Sequence, residues 1–199
     1  MVGVATGQRM FVAVVLPDEA LEHLDEFLDV RRRAADFRWA SREQLHVTLA
    51  FLAAVPDRTL DELVERLGRA AAKRTAFDTR IAGGGAFPTP ADARVLWAGL
   101  EVDDVAGTEL DRLATGVRSA ASSAGIAVDG GRFRPHVTVA RLRRPQEVSR
   151  WVQLLDGYAG PPWWADTVEL VASHLGQGPR GRPRYETVDT FPLARSAGE

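Results

Sequence analysis

The chain has 199 residues, 45% of them hydrophobic and 26% charged, with a formal net charge of −2. This composition fits a globular chain with a sizeable core, as one domain or two small lobes, and excludes collagen-like, fibrous and disordered classes. No apolar run approaches the roughly 18 residues needed to cross a bilayer, and the absence of cysteine removes disulfides, thiolate nucleophiles and Cys-ligated metals. The first residues lack a basic region ahead of a long apolar core, so no signal peptide is expected and the cytoplasm is the expected compartment.

In chain order, Met10–Leu16 reads as a buried strand ended by Pro17. Asp18 follows as a helix N-cap, with Leu21, Leu24 and Leu28 at helical spacing. Leu45–Leu52 is a second strand, and Asp57 caps a helix whose Leu60, Leu63, Val64 and Leu67 share one face. Phe77–Ile81 and Arg94–Leu100 read as strands on either side of a loop, GGGAFPTPAD. Thr108 and Asp111 open a third helix that stops near Gly125. His136–Leu142 is again a strand, and Pro145 suits the first turn of a helix carrying Val148, Trp151, Val152 and Leu155. Thr167–Leu175 and Tyr185–Phe191 supply the last strands around the loop GQGPRGRPR. This mixed order, with strands adjacent in sequence, predicts an α+β fold rather than a regular parallel sheet.

Charge is uneven along the chain. Residues 130–150 carry a local charge of +5 and residues 176–185 one of +3, which leaves −10 for the remainder. An acidic body with two basic segments suits a localised anion site more than a protein that coats nucleic acid by bulk attraction. The triplet Arg31–Arg33 suits the C-terminal end of the first helix, where cations complement the dipole.

Two nearly identical pentapeptides, HVTLA at His46–Ala50 and HVTVA at His136–Ala140, lie 90 residues apart. Each sits in an apolar, β-branched run, and in a strand residues two apart share a face. His46 and Thr48 then point one way while Val47 and Leu49 point into a core, and His136 and Thr138 repeat the arrangement. Two imidazoles beside two hydroxyls suit phosphoryl chemistry: one ring takes a proton from the attacking group, the other gives one to the departing oxygen. The hydroxyls hold non-bridging phosphate oxygens. Opening a ribose 2′,3′-cyclic phosphate needs no cofactor or metal in this scheme, and the sequence has no H-x-x-x-H or other metal-ligand spacing. His23 and His174 read as structural.

The flanks of these motifs carry a resemblance. Phe11–Pro17 (FVAVVLP), Trp39–Leu52 (WASREQLHVTLAFL), the GGGAFP and RVLWAGL segments, and Phe133–Leu142 (FRPHVTVARL) follow one another in this order. The chain resembles the two-histidine phosphoesterase superfamily, and within it the bacterial and archaeal RNA 2′,3′-cyclic phosphodiesterases, historically called 2′-5′ RNA ligases. The resemblance implies two pseudo-symmetric α+β lobes within residues 1–199, each an antiparallel sheet with helices outside, facing a central cleft. It implies that His46 is the proton donor to the leaving ribose oxygen, that His136 is the base activating water, and that Thr48 and Thr138 bind the phosphate. It also implies RNA ends or nucleotides bearing a 2′,3′-cyclic phosphate as partners, a 2′-phosphate product, and reverse 2′-5′ ligation.

Arg141 matches a family arginine near the phosphate, although strand parity turns an odd-numbered residue away from His136 and Thr138 unless a bulge or strand end re-aims it. Phe11, Phe133, Trp163 and Tyr185 are the base-stacking candidates. A monomer is expected, because such a cleft needs no second chain. Two alternatives stay open: a non-catalytic nucleotide- or RNA-binding module, and a phosphodiesterase acting on a small cyclic nucleotide.

Overall fold

In the computed structural model, which describes residues 7–195, apolar alternation and turn chemistry lay down nine strands and four α-helices. In chain order these are β1 (Gln8–Val15), α1 (Asp18–Arg32), β2 (Arg38–Trp39), β3 (His46–Val55), α2 (Leu60–Ala71), β4 (Phe77–Phe87) and β5 (Ala93–Glu101). There follow α3 (Asp104–Ser123), β6 (His136–Gln146), α4 (Ser149–Asp156), β7 (Trp163–Ala165), β8 (Thr167–His174) and β9 (Arg184–Pro192). The strands hydrogen-bond in the order β7-β4-β5-β6-β3-β1-β8-β9, with β2 also beside β6. Every pairing between these strands is antiparallel.

The centre of this order explains the shape of the molecule. β3 and β6 meet through a single register pair, Val47 opposite Val137. Both residues are the second of their strands, so each strand runs outward from the meeting point into its own half. Antiparallel pairing of like sequences is twofold by nature; here it relates β3 with β1, β8 and β9 to β6 with β5, β4 and β7. Val47 and Val137 are fully buried in a core that also takes Leu24 and Leu28 of α1, Leu63 and Leu67 of α2, Leu113 and Val117 of α3, and Leu155 of α4. A separate small cluster of Phe11, Ala13 and Val171, with Phe51 and Tyr185 packed on it, stands apart from that core.

Several elements depart from the sequence reading, each for a visible reason. The glycine run expected as a loop is the second half of β4, paired with β5 from Gly84↔Ala98 to Phe87↔Val95. Glycine is required there by what lies over the strand. A Cβ on Gly84 would meet Leu155 Cβ at 2.3 Å, and one on Gly85 would meet the Trp97 ring at 2.2 Å. Pro145 lies near the end of β6, not in a helix, within a stretch where the β5–β6 register is irregular and the missing N–H breaks no regular ladder. α3 starts at Asp104, earlier than expected, because the Asp103 carboxylate accepts from Ala106 N–H at 2.7 Å and caps it. Asp18 is the first residue of α1 and not its cap, Pro17 taking that position, and Asp57 opens a 3₁₀ turn before α2. The short strands β2 and β7 had no apolar period long enough to read. Among the described residues, no helix is long and apolar enough to cross a membrane.

Candidate active site

His46 and His136 are the first residues of β3 and β6. Extending the Val47–Val137 pair by one residue each way sets His46 opposite Thr138 and Thr48 opposite His136. With the valines buried on one side, all four polar side chains stand on the other, and all are partly exposed. The two histidines occupy diagonal positions of the ladder, which separates their backbones by about 7–8 Å. Motifs 90 residues apart in sequence are therefore neighbours across one strand pair.

Arg141 joins them through a bulge. On β6 the register with β5 passes from Trp97↔Thr138 to Leu96↔Ala140, leaving Val139 as an extra residue. Beyond it the alternation changes phase: Val139 and Ala140 are both buried, and Arg141 and Arg143 are exposed where even-numbered residues were before. Arg141 thus shares a cavity with His46, Thr48 and Thr138. β3 repeats the device, with Leu49 as the extra residue between Ala13↔Thr48 and Val12↔Ala50. Its bulged carbonyl accepts from Arg118 Nε–H at 3.0 Å. At the position equivalent to Arg141, five residues after the histidine, β3 carries Phe51.

Each imidazole is bracketed by aromatic rings from its own half. Phe11 stacks on His46 at 4.4 Å between centroids, and Tyr185 approaches its edge at 5.7 Å. Phe87 meets His136 edge-on at 5.0 Å, and Trp97 lies 6.0 Å away. The His136 Nδ1 lies 2.6 Å from the Arg134 carbonyl, which only accepts, so Nδ1 carries the proton and Nε2 the lone pair.

Burial pushes the His46 imidazole down to about 4, against a backbone hydrogen bond at Gln44, and the neighbouring His136 and Arg141 push it the same way. Burial likewise lowers His136, opposed by the Arg134 carbonyl and aided by Arg141. Both rings are accordingly neutral at pH 7 until an anion comes between them.

The cleft continues on both sides of these groups. The His46 side opens into a cavity of about 600 Å³, and the His136 side into one of about 480 Å³ lined by Phe51, Phe87, Phe133, Arg118, Arg132 and Arg134. Of the stacking candidates, Phe133 and Tyr185 line these cavities, Phe11 packs on His46 itself, and Trp163 is buried in the core away from the site. His23 hydrogen-bonds the Tyr158 hydroxyl at 2.9 Å, and His174 pairs with Glu186 at 3.1 Å. Sequence reasoning missed Phe51, Phe87, Trp97 and Arg118, whereas Arg143 lies in the basic segment 130–150 that reads as a localised anion site.

A family model for the 2′-5′ RNA ligase superfamily matches residues 16–177. The chain belongs to that superfamily. It is 30% identical over 184 residues to a protein of Geobacillus stearothermophilus named RNA 2′,3′-cyclic phosphodiesterase, covering 92% of this chain and 56% of that protein. It thus spans little more than half of that relative. A protein of the same name from Thermus thermophilus is 30% identical over 192 residues, covering 96% of this chain and 92% of its own. Among solved structures, Escherichia coli LigT complexed with 3′-AMP superposes with a TM-score of 0.73 at 26% identity, over 94% of this chain and 98% of that one. The α+β fold of this chain is thus shared with that solved structure.

Proposed function

We propose that this protein is an RNA 2′,3′-cyclic phosphodiesterase that opens the terminal cyclic phosphate by acid–base catalysis between its two histidines. The observation that carries the reading is the Val47–Val137 register, which sets both His-x-Thr pairs on one face of the sheet, with Arg141 turned to that face by the bulge at Val139. The names of the relatives in Geobacillus and Thermus, and the 3′-AMP complex of the Escherichia coli protein, support the substrate class.

In this reading each group has a task. His136, with its Nε2 lone pair free, takes a proton from water as the oxygen attacks phosphorus. The bond from phosphorus to the ribose 3′-oxygen breaks, and that oxygen receives the proton of His46, leaving a 2′-phosphate and a 3′-hydroxyl. Thr48 and Thr138, with Arg141, hold the non-bridging oxygens and stabilise the charge that builds on them. An anionic phosphate between the rings raises the His46 pKa from its low value, so substrate binding takes up the proton that catalysis then delivers. A 5′-hydroxyl in place of water gives 2′–5′ ligation by the same transfers. One chain supplies both halves of the cleft, which fits a monomer, and RNA as substrate fits the cytoplasm.

The test is turnover of an oligonucleotide ending in a 2′,3′-cyclic phosphate, in excess chelator, with the 2′-phosphate as product. His46→Ala and His136→Ala are each expected to lose about 10²–10⁴-fold in kcat. The free-enzyme pH optimum of kcat/KM should lie below 6.5, because His46 must be protonated. Undiminished turnover in both variants would remove the catalytic assignment. Binding of the oligonucleotide with no turnover by the unaltered protein would favour a non-catalytic module.

A further inference from the structure

Both sides of the cleft carry arginines, but on the His136 side Asp129 stands among Arg118, Arg132 and Arg134, whereas the His46 side is more heavily basic. On the His46 side the wall continues with Arg38, Arg141, Arg143, Arg180 and Arg182, and no carboxylate lines it. These five arginines come from three separate elements: β2, β6 and the loop before β9. Their placement is costly in the absence of an anion. Arg38 stands directly opposite Arg141 in the β2–β6 ladder, and like charges in that position repel. Among the described residues, none of the five takes part in an ion pair, whereas arginines on the helices, such as Arg32, Arg66 and Arg69, are paired with carboxylates of their own helix.

The loop is built to present its arginines. Arg180 is the single non-glycine residue with a left-handed backbone among the described residues, at φ 56°. The turn around it is closed by Gly178 N–H donating to the Arg182 carbonyl at 2.8 Å, and a Cβ on Gly178 would come 2.8 Å from that same oxygen. Glycine would adopt the conformation of residue 180 freely, yet an arginine is held there at the mouth of the cleft.

We propose that Arg143, Arg180 and Arg182 form a second anion subsite that holds the internucleotide phosphate on the 5′ side of the terminal nucleotide, so that the protein selects RNA chains over single nucleotides. The inference rests on the functional reading above. In that reading the ribose oxygen leaves toward His46, and the rest of the RNA must follow it into the cavity that His46 lines and His136 does not. Arg141 and Arg38, opposite each other on β6 and β2, are assigned to the scissile phosphate, and the other three to the chain beyond it.

The experiment compares three substrates on the unaltered protein: a tetranucleotide ending in a 2′,3′-cyclic phosphate, a nucleoside 2′,3′-cyclic phosphate with a free 5′-hydroxyl, and the same nucleotide with a 5′-phosphate. The tetranucleotide is expected to exceed the 5′-hydroxyl nucleotide in kcat/KM by about tenfold or more, mostly through KM, as one charge-assisted hydrogen bond to phosphate implies. In Arg180→Gly combined with Arg182→Ala, that preference should fall about tenfold. The dependence of log kcat/KM for the tetranucleotide on log salt should flatten by about 0.7 for each phosphate that the variant no longer holds. Glycine accepts the backbone of residue 180, so the melting temperature should hold. Arg143→Gln, on β6 and outside the loop, gives an independent loss of preference.

Equal efficiency on all three substrates, or an undiminished preference in the variants, would overturn the subsite and leave the functional reading in place. Acceleration by a 5′-phosphate alone that matched the tetranucleotide would overturn selection of chains. Turnover of none of the three would overturn the functional reading itself.

Discussion

Lowering the pH should destabilise this protein through one identifiable side chain. His46 is stacked against Phe11 and held at a pKa of about 4, while an unfolded histidine titrates at 6.5. The folded-state value is depressed, so the unfolded chain binds the extra proton between those limits, and stability falls as pH drops from 6.5 toward 4. Integrated over that window, the loss amounts to about 2 kcal/mol between pH 8 and pH 5, and approaches about 3.4 kcal/mol below pH 4. The assay is urea denaturation of the unaltered protein and of His46→Gln at both pH values. Carboxylates and His136 contribute to both proteins, so the difference between the two pH dependences isolates His46. The unaltered protein should lose about 2 kcal/mol more than the variant, roughly 1 M in urea midpoint. Identical pH dependences would mean that the ring is not desolvated, and the cleft geometry around it would have to be abandoned.

Arg141→Gln should lower kcat/KM about 10–100-fold, the worth of a charged hydrogen bond to phosphate. The same change should raise the pKa of both imidazoles, since Arg141 depresses each of them; an NMR titration in which neither ring moves would mean that the bulge does not turn Arg141 toward the site. Gly85→Ala places a methyl 2.2 Å from the Trp97 ring and should cost about 1–3 kcal/mol in urea denaturation. It should also reduce turnover, because Trp97 lies 6.0 Å from His136; a variant of unchanged stability would show that the glycine run is not a packed strand.

The chemistry was legible because it depends on residue type at a spacing of two. His46 with Thr48, and His136 with Thr138, share a face in any strand, and that period is local. The helix faces were legible for the same reason: Leu24 and Leu28, or Leu63 and Leu67, need only the α-helical repeat to fall on one side. Where a neighbour in space overrode local preference, the reading failed. Gly83–Gly85 carries turn-forming residues, yet Leu155 presses on Gly84 and Trp97 on Gly85 closely enough that only glycine fits at those two positions of the strand. Pro145 looks like a helix start by itself and is carried instead by the end of β6.

Sequence alone determined that two imidazole–hydroxyl pairs exist and which strands carry them. It could not determine that Val47 would lie opposite Val137, since a register between strands 90 residues apart is set by burying both valines in the common core. Nor could it place Arg141. The extra residue at Val139 is visible only as a mismatch with β5, and that mismatch turns the guanidinium from the core side into the cleft. Side-chain identity is written along one dimension; which identities face each other is decided by pairing, and pairing is a property of the packed sheet.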